Sequence, residues 1–144
     1  MIDVQIRNDF KSISERIGCQ GFIANFVSTI NEGGNLYPLM VLPPIATSEK
    51  FNEQDQEEVK LILYFFKPYQ NEVGQTPNET ELWQLFGELG ELVKAFKKEL
   101  LKVEYLKKYV ITSKINVERN AHKIGYDETV FVKVNFIMTV YKDC

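Results

Sequence analysis

The stretch Thr76 to Val103, TPNETELWQLFGELGELVKAFKKELLKV, constrains the fold most, because it reads as one long amphipathic helix. Leu82, Leu85, Phe86, Leu89, Leu92, Val93, Phe96 and Leu100 recur at helical spacing and share one face. Thr76 can accept from the backbone N–H of Glu79, Pro77 sits where a missing N–H costs nothing, and Glu79 can reach back to close a capping box. Glu79, Glu81, Glu88 and Glu91 lie toward the positive end of the helix dipole, and Lys94, Lys97, Lys98 and Lys102 toward the negative end. At 1.5 Å per residue the helix is about 40 Å long, enough to cross a small sheet. It carries a fold and no chemistry.

Two glycines interrupt it. Gly87 and Gly90 each cost about 1 kcal/mol relative to alanine and sit beside Trp83 on the flank of the apolar stripe. The expectation is that another backbone, such as a first helix, comes close there; the alternative is two tolerated glycines. No GxxxxGK[ST] pattern surrounds them, so neither belongs to a phosphate loop.

The rest of the chain supplies a second helix and strands. Ile2, Ile6, Phe10, Ile13 and Ile17 form a narrow stripe with polar residues opposite, and Gly18 stops it, so residues 2–17 predict a helix laid on a sheet. Residues 21–30, GFIANFVSTI, read as a strand, followed by a hairpin loop at 31–35. Leu36 to Leu42 is apolar but contains Pro38, which cannot donate to a ladder, so it predicts an edge or partly paired strand ended by Pro43-Pro44. Residues 45–56 read as a polar connection. Val59 to Phe66 alternates Val59, Leu61, Leu63 and Phe65 against Lys60, Ile62, Tyr64 and Phe66. Residues 67–76 are long for a connection and read equally as a binding loop or a plain connector. Tyr109 to Glu118 and Val130 to Tyr141 predict a final hairpin, joined by a long polar link over Arg119 to Glu128.

Together these predict one α+β domain over residues 1–144, a mainly antiparallel sheet of about five strands with two helices in the order α-β-β-β-α-β-β. The helices cover one face of that sheet. The other still holds Ile62, Tyr64, Phe66, Phe131, Ile137 and Tyr141, an apolar set that predicts an oligomer or partner interface unless the first helix or the 45–56 segment covers it. Edge strands add the option of sheet extension between subunits.

Composition excludes several function classes. The 44% hydrophobic and 12% aromatic content supports a real core, whereas the net charge of −3 opposes a protein that grips nucleic acid through phosphates. Neither a signal peptide nor a membrane span is expected, because no charged-then-apolar leader and no sufficiently long apolar run is present. Cys19 and Cys144 form neither a disulfide framework nor a metal spacing, and His122 is the only histidine, which rules out a two-histidine metal site within one chain. Two weak catalytic candidates remain: the acidic group Glu53, Asp55, Glu57 and Glu58, and His122 with Asp127 and Glu128 in the late link. Solvated loops explain both more simply.

The layout of IRNDFKSISERI, the meander GFIANFVSTI…YPLMVLPPI…VKLILYFF, the TPNETELWQLFGELGELVKAF helix and the closing FVKVNFIMTVY strand resembles tailed-phage tail-completion, tail-terminator and neck-ring proteins. The resemblance covers most of the chain and lies in the order and length of elements. It implies a structural virion protein, made in the bacterial host cytoplasm, that forms a homo-oligomeric ring of six or twelve subunits between portal and tail. It further implies contacts with other neck, portal or tail proteins, DNA only as passing cargo, no enzymatic activity and no cofactor. The acidic charge suits a conduit that must not hold its cargo. The competing readings are a small enzyme or ligand-binding domain built on one of the two weak candidates, and an RNA-binding sheet. The RNA reading lacks the expected aromatic motif, element order and charge.

Overall fold

A computed structural model describes residues 2–27, 35–44, 46–48, 56–69, 78–103, 110–124 and 127–141; residues 2–3, 46–48, 56–60, 110–116, 120–124, 127 and 137–141 are described by backbone alone. The elements are α1 (Ile2–Arg16), β1 (Gly21–Ile23), β2 (Leu39–Val41), β3 (Ala46–Ser48), β4 (Gln56–Pro68), α2 (Glu79–Leu100), β5 (Val110–Ile124) and β6 (Asp127–Tyr141).

The fold is α+β with two helices, but its sheet is mixed. Strands run β1-β2-β4-β6-β5, with β3 added on β4. β1 pairs with β2 in parallel and the other pairings are antiparallel. The expected first hairpin is therefore absent. Its first strand ends at Ile23, and β2 runs in the same direction as β1. The reason lies in the hydrogen bonds. The N–H groups of Gln20 and Gly21 both donate to the Pro38 carbonyl, at 3.0 and 3.3 Å, and Leu42 N–H donates to the Ile23 carbonyl at 2.8 Å. Gly21 permits this approach, since a Cβ there would lie 2.6 Å from the Leu36 carbonyl oxygen. The loop expected at 31–35 lies outside the described residues except for Asn35.

The polar connection expected over 45–56 is also corrected, because Ala46–Ser48 is a strand. β2 and β3 lie along the same side of β4, at Tyr64–Phe66 and Glu58–Lys60 respectively. They are two halves of one strand. Four residues separate Val41 from Ala46 in sequence, against three between Tyr64 and Lys60 on β4, one more than a continuous ladder would hold. Pro43 and Pro44 fall in that gap, where their missing N–H groups break no ladder bond.

Both helices lie on one side of the sheet. Ile6, Phe10 and Ile13 of α1, Leu89, Val93 and Phe96 of α2, and Met40, Leu61, Leu63, Phe65, Val130, Val132, Val134 and Phe136 of the strands form one buried cluster. Phe96 stands edge-on to Phe10 at 5.1 Å between centroids and to Phe65 at 6.0 Å, so one ring joins both helices to β4. α1 ends as expected at Gly18, which takes φ +93. Cys19 N–H reaches back to the Ser14 carbonyl at 2.9 Å and Gly18 N–H to Glu15 at 3.3 Å, the bond pair of a Schellman stop.

α2 starts later than its sequence suggests. Asn78 is the cap: its extended backbone precedes the helix and its Oδ1 accepts from Glu81 N–H at 2.9 Å. Its Nδ2 donates to Glu81 Oε1, so the cap involves Asn78 and Glu81 instead of Thr76 and Glu79, through a side-chain bond and without the backbone half of a capping box. Thr76 and Pro77 lie outside the described residues. The expectation for the helix glycines fails. A Cβ on Gly87 would meet nothing within 4 Å, and the nearest atom to one on Gly90 is an Arg119 guanidinium nitrogen at 3.9 Å. Among the described residues Gly90 faces a side chain from β5 and no helix.

The last hairpin is longer than expected. β5 runs through Ile124 and pairs with β6 as far as Ile124 opposite Asp127, leaving only residues 125–126 between them. Residues 119–124 and 127–128, expected to belong to a long link, form the end of this ladder.

Candidate functional site

The face of the sheet away from the helices is built by strand alternation. Odd-numbered residues of β2 and even-numbered residues of β4 point there, opposite to Met40 and Phe65. Leu39, Val41 and Phe66 form a second buried cluster on that face, and Ile23, Val27, Tyr37, Tyr64 and Phe131 pack against it half-buried. Phe66 lies opposite Phe131 in the ladder, and Tyr64 is opposite Lys133. Three rings meet: Tyr64 stacks on Phe66 at 5.8 Å, Phe66 and Phe131 lie 5.5 Å apart, and Tyr64 meets Phe131 edge-on at 5.7 Å.

Of the six residues expected to form an interface, the structure thus brings Tyr64, Phe66 and Phe131 into contact. Phe66 is 1% exposed, so it supports the patch from within and offers no surface of its own. Ile62 is half-buried opposite Asn135. Ile137 and Tyr141 have the same parity as Phe131 on β6 and pair with Lys60 and Gln56 of β4. Their side chains lie outside the description.

α1 does not cover this face, since its apolar stripe belongs to the other core. The ends of the β1–β2 connection do so in part, through Val27 and Tyr37. The same connection carries Phe26 and Leu36, both more than half exposed. Both fall inside the strands expected at 21–30 and 36–42, and the structure places them on the connection instead. Away from the aromatic cluster the face turns polar: Asn135 follows Lys133 along β6, and Lys133 Nζ lies 3.7 Å from Glu118 Oε2 of β5.

The catalytic candidates are not assembled. His122 belongs to the β5 ladder opposite Thr129, and Glu128 is opposite Lys123. The alternation therefore puts His122 and Glu128 on different faces. The His122 and Asp127 side chains lie outside the description. Glu57 and Glu58 are consecutive residues of β4, which sends them to opposite faces, and Glu53 and Asp55 lie outside the described residues. Among the described residues no group of three metal-ligating side chains exists.

Two clefts are lined by described residues. One, of about 310 Å³, is mainly apolar and lies between Val4 and Arg7 of α1 and Leu42–Pro44. The other, of about 450 Å³, lies between the C-terminal ends of the helices, beside Asp9, Ser12, Arg16, Glu99 and Lys102. There Glu99 bridges Arg16 and Lys102, each at 3.1 Å. The Lys102 hydrogen bond, helped by Lys102 and Arg16 charge, holds the Glu99 carboxyl below its ordinary range. One oxygen of Asp9 is buried without a partner among the described residues. These cations are already engaged by Glu99, so the second cleft is a helix-to-helix brace.

No helix among the described residues is long and apolar enough to cross a membrane. No protein-family model matches the sequence, and no curated protein shows significant similarity to it.

Proposed function

We propose that this chain is a structural protein of a tailed phage or prophage, assembling into a ring at the head–tail junction through which DNA passes. The observation that carries this reading is the aromatic cluster of Tyr64, Phe66 and Phe131 on the sheet face that the helices leave uncovered. Exposed Phe26 and Leu36 lie on the connection whose ends pack there. Grouped apolar surface of this kind is characteristic of contact sites between chains. The order of elements, a helix, short strands, a long strand, a long helix and a hairpin, supports the same class. A net charge of −3 suits a channel wall that must release DNA. Partners would be further copies of the chain and the neighbouring portal, neck or tail proteins.

Light scattering over a concentration series, with electron microscopy of the large species, tests this. The expected result is a closed ring of six or twelve subunits, weakened by Tyr64→Ala and by Phe26→Ser with Leu36→Ser. A chain that stays monomeric at every concentration refutes ring formation by the chain alone and would end this reading. Phe66 is unsuitable for the test, because its truncation would damage the core.

A further inference from the structure

The sheet ends in β5, and among the described residues no strand pairs with its outer side. β5 has 15 residues and no proline, and its ladder to β6 is regular from Thr112 to Ile124. At about 3.4 Å per residue it presents roughly 50 Å of edge, with alternate backbone N–H and C=O groups directed outward. Folded chains normally shorten, bulge, charge or block such an edge; β5 bulges only at its start, between Val110 and Thr112, and carries charges of both signs, Lys114, Glu118, Arg119 and Lys123. α2 lies across β4 and β6 and packs far less on β5. In consequence Val117, on the helix side of the strand, is 40% exposed. Beside it Arg119 extends over the Phe86 ring at 5.9 Å.

We propose that the outer edge of β5 pairs antiparallel with β5 of a second copy, about a two-fold axis through Asn116. Length is the first reason: β1 and β3, short strands on the other side of the sheet, have only three residues each, so among the described edge strands β5 is matched only by itself. Charge is the second. Centring on Asn116 sets Lys114 of each copy opposite Glu118 of the other, twice by symmetry, and Thr112 opposite Asn120. Centring on Ile115 or Val117 leaves Lys114 and Glu118 opposite uncharged residues, and centring on Glu118 sets that carboxylate against itself. Burial is the third. The Asn116 centre places Ile115 opposite the exposed Val117 on the side that carries the helices in both copies. Over the regular part of the strand the overlap runs from Thr112 to Asn120. The pairing stands independently of the aromatic face. A larger assembly built on it would be made of pairs.

Sedimentation velocity of the full chain across a micromolar series, with Lys114→Glu, Glu118→Lys and the double exchange, tests the register. Each reversal turns two attractive pairs into two repulsive ones and should raise the dissociation constant of the pair roughly tenfold or more. The double exchange should restore pairing. Glu118→Lys also loses Lys133, so a melting curve accompanies each variant. Hydrogen exchange of the unaltered chain provides a readout without substitution: alternate β5 amides should gain protection as concentration rises. A chain with no paired species, or pairing indifferent to both reversals, overturns the proposal. A six- or twelve-subunit ring indifferent to Lys114→Glu would uphold the ring and overturn this edge. A charge-sensitive pair that never closes into a ring would do the opposite.

Discussion

Phe96→Ala should remove a large part of the stability of this protein. Phe96 is fully buried, and its ring contacts Phe10 of α1 and Phe65 of β4. Phenylalanine-to-alanine changes in cores cost about 3–5 kcal/mol, with the larger losses where the surroundings cannot collapse. Here the cavity is walled by a helix on one side and a central strand on the other, and each is held by further core residues. The upper half of the range, about 4–5 kcal/mol, is therefore expected. Against a total of about 5–15 kcal/mol, that is at least about a quarter of the stability. With a urea slope of about 2 kcal/mol per molar, the midpoint should fall by roughly 2 M. Far-UV circular dichroism is the proper probe, at fixed protein concentration. Trp83 is 67% exposed, so its emission reports little of the packed state. Phe96→Leu should cost about half as much, and Trp83→Ala within about 0.5 kcal/mol of nothing. A loss below about 1.5 kcal/mol for Phe96→Ala would mean that this ring does not join the helices to the sheet.

Further expectations concern local features. Asn78→Ala removes the α2 cap and should cost about 1 kcal/mol by urea melting, whereas Thr76→Ala should cost almost nothing; equal losses would refute the Asn78 start. Gly21→Ala forces a Cβ against the Leu36 carbonyl and should destabilise by about 1–3 kcal/mol, and an unchanged melting curve would deny the close approach. Burial pushes the Cys19 thiol up from 9.0 to about 11. Its folded value exceeds its unfolded one, so its contribution is complete below pH 9 and is lost as pH rises toward 11, about 3 kcal/mol in all. In a Cys144→Ser variant, disulfide-exchange reagents should label Cys19 only at the rate of unfolding; rapid labelling at neutral pH would contradict its burial. The Glu99 carboxyl should titrate below the ordinary glutamate range by NMR and return toward it in Lys102→Gln with Arg16→Gln. Its contribution is present above the unfolded value and lost as pH falls through the folded one.

Both helices and the long strands are legible in the chain because their signals are local. The stripe of α1, the Gly18 stop and the alternation of Leu61, Leu63 and Phe65 need no knowledge of distant residues. The aromatic residues of the far face are likewise named by alternation alone, since Tyr64, Phe66 and Phe131 follow their strands. The last part of β5 carries no such signal. Its side chains from Glu118 to Lys123 are mostly polar because the strand is at an edge, while its pairing to β6 is made by backbone groups that every residue carries. The glycine in the sequence IGYD is a turn-forming residue that the surrounding polarity obscures.

The direction of β1 relative to β2, the division of one strand by Pro43-Pro44 and the choice of Asn78 over Thr76 depend on contacts between residues distant in sequence or on competing caps. So does the difference between Phe66, enclosed by its neighbours, and Tyr64, which keeps part of its surface. Periodicity assigns a side chain to a face of the sheet. Burial on that face is set by whatever chain crosses it, and here the crossing chain is the β1–β2 connection that brings Val27 and Tyr37 onto the cluster.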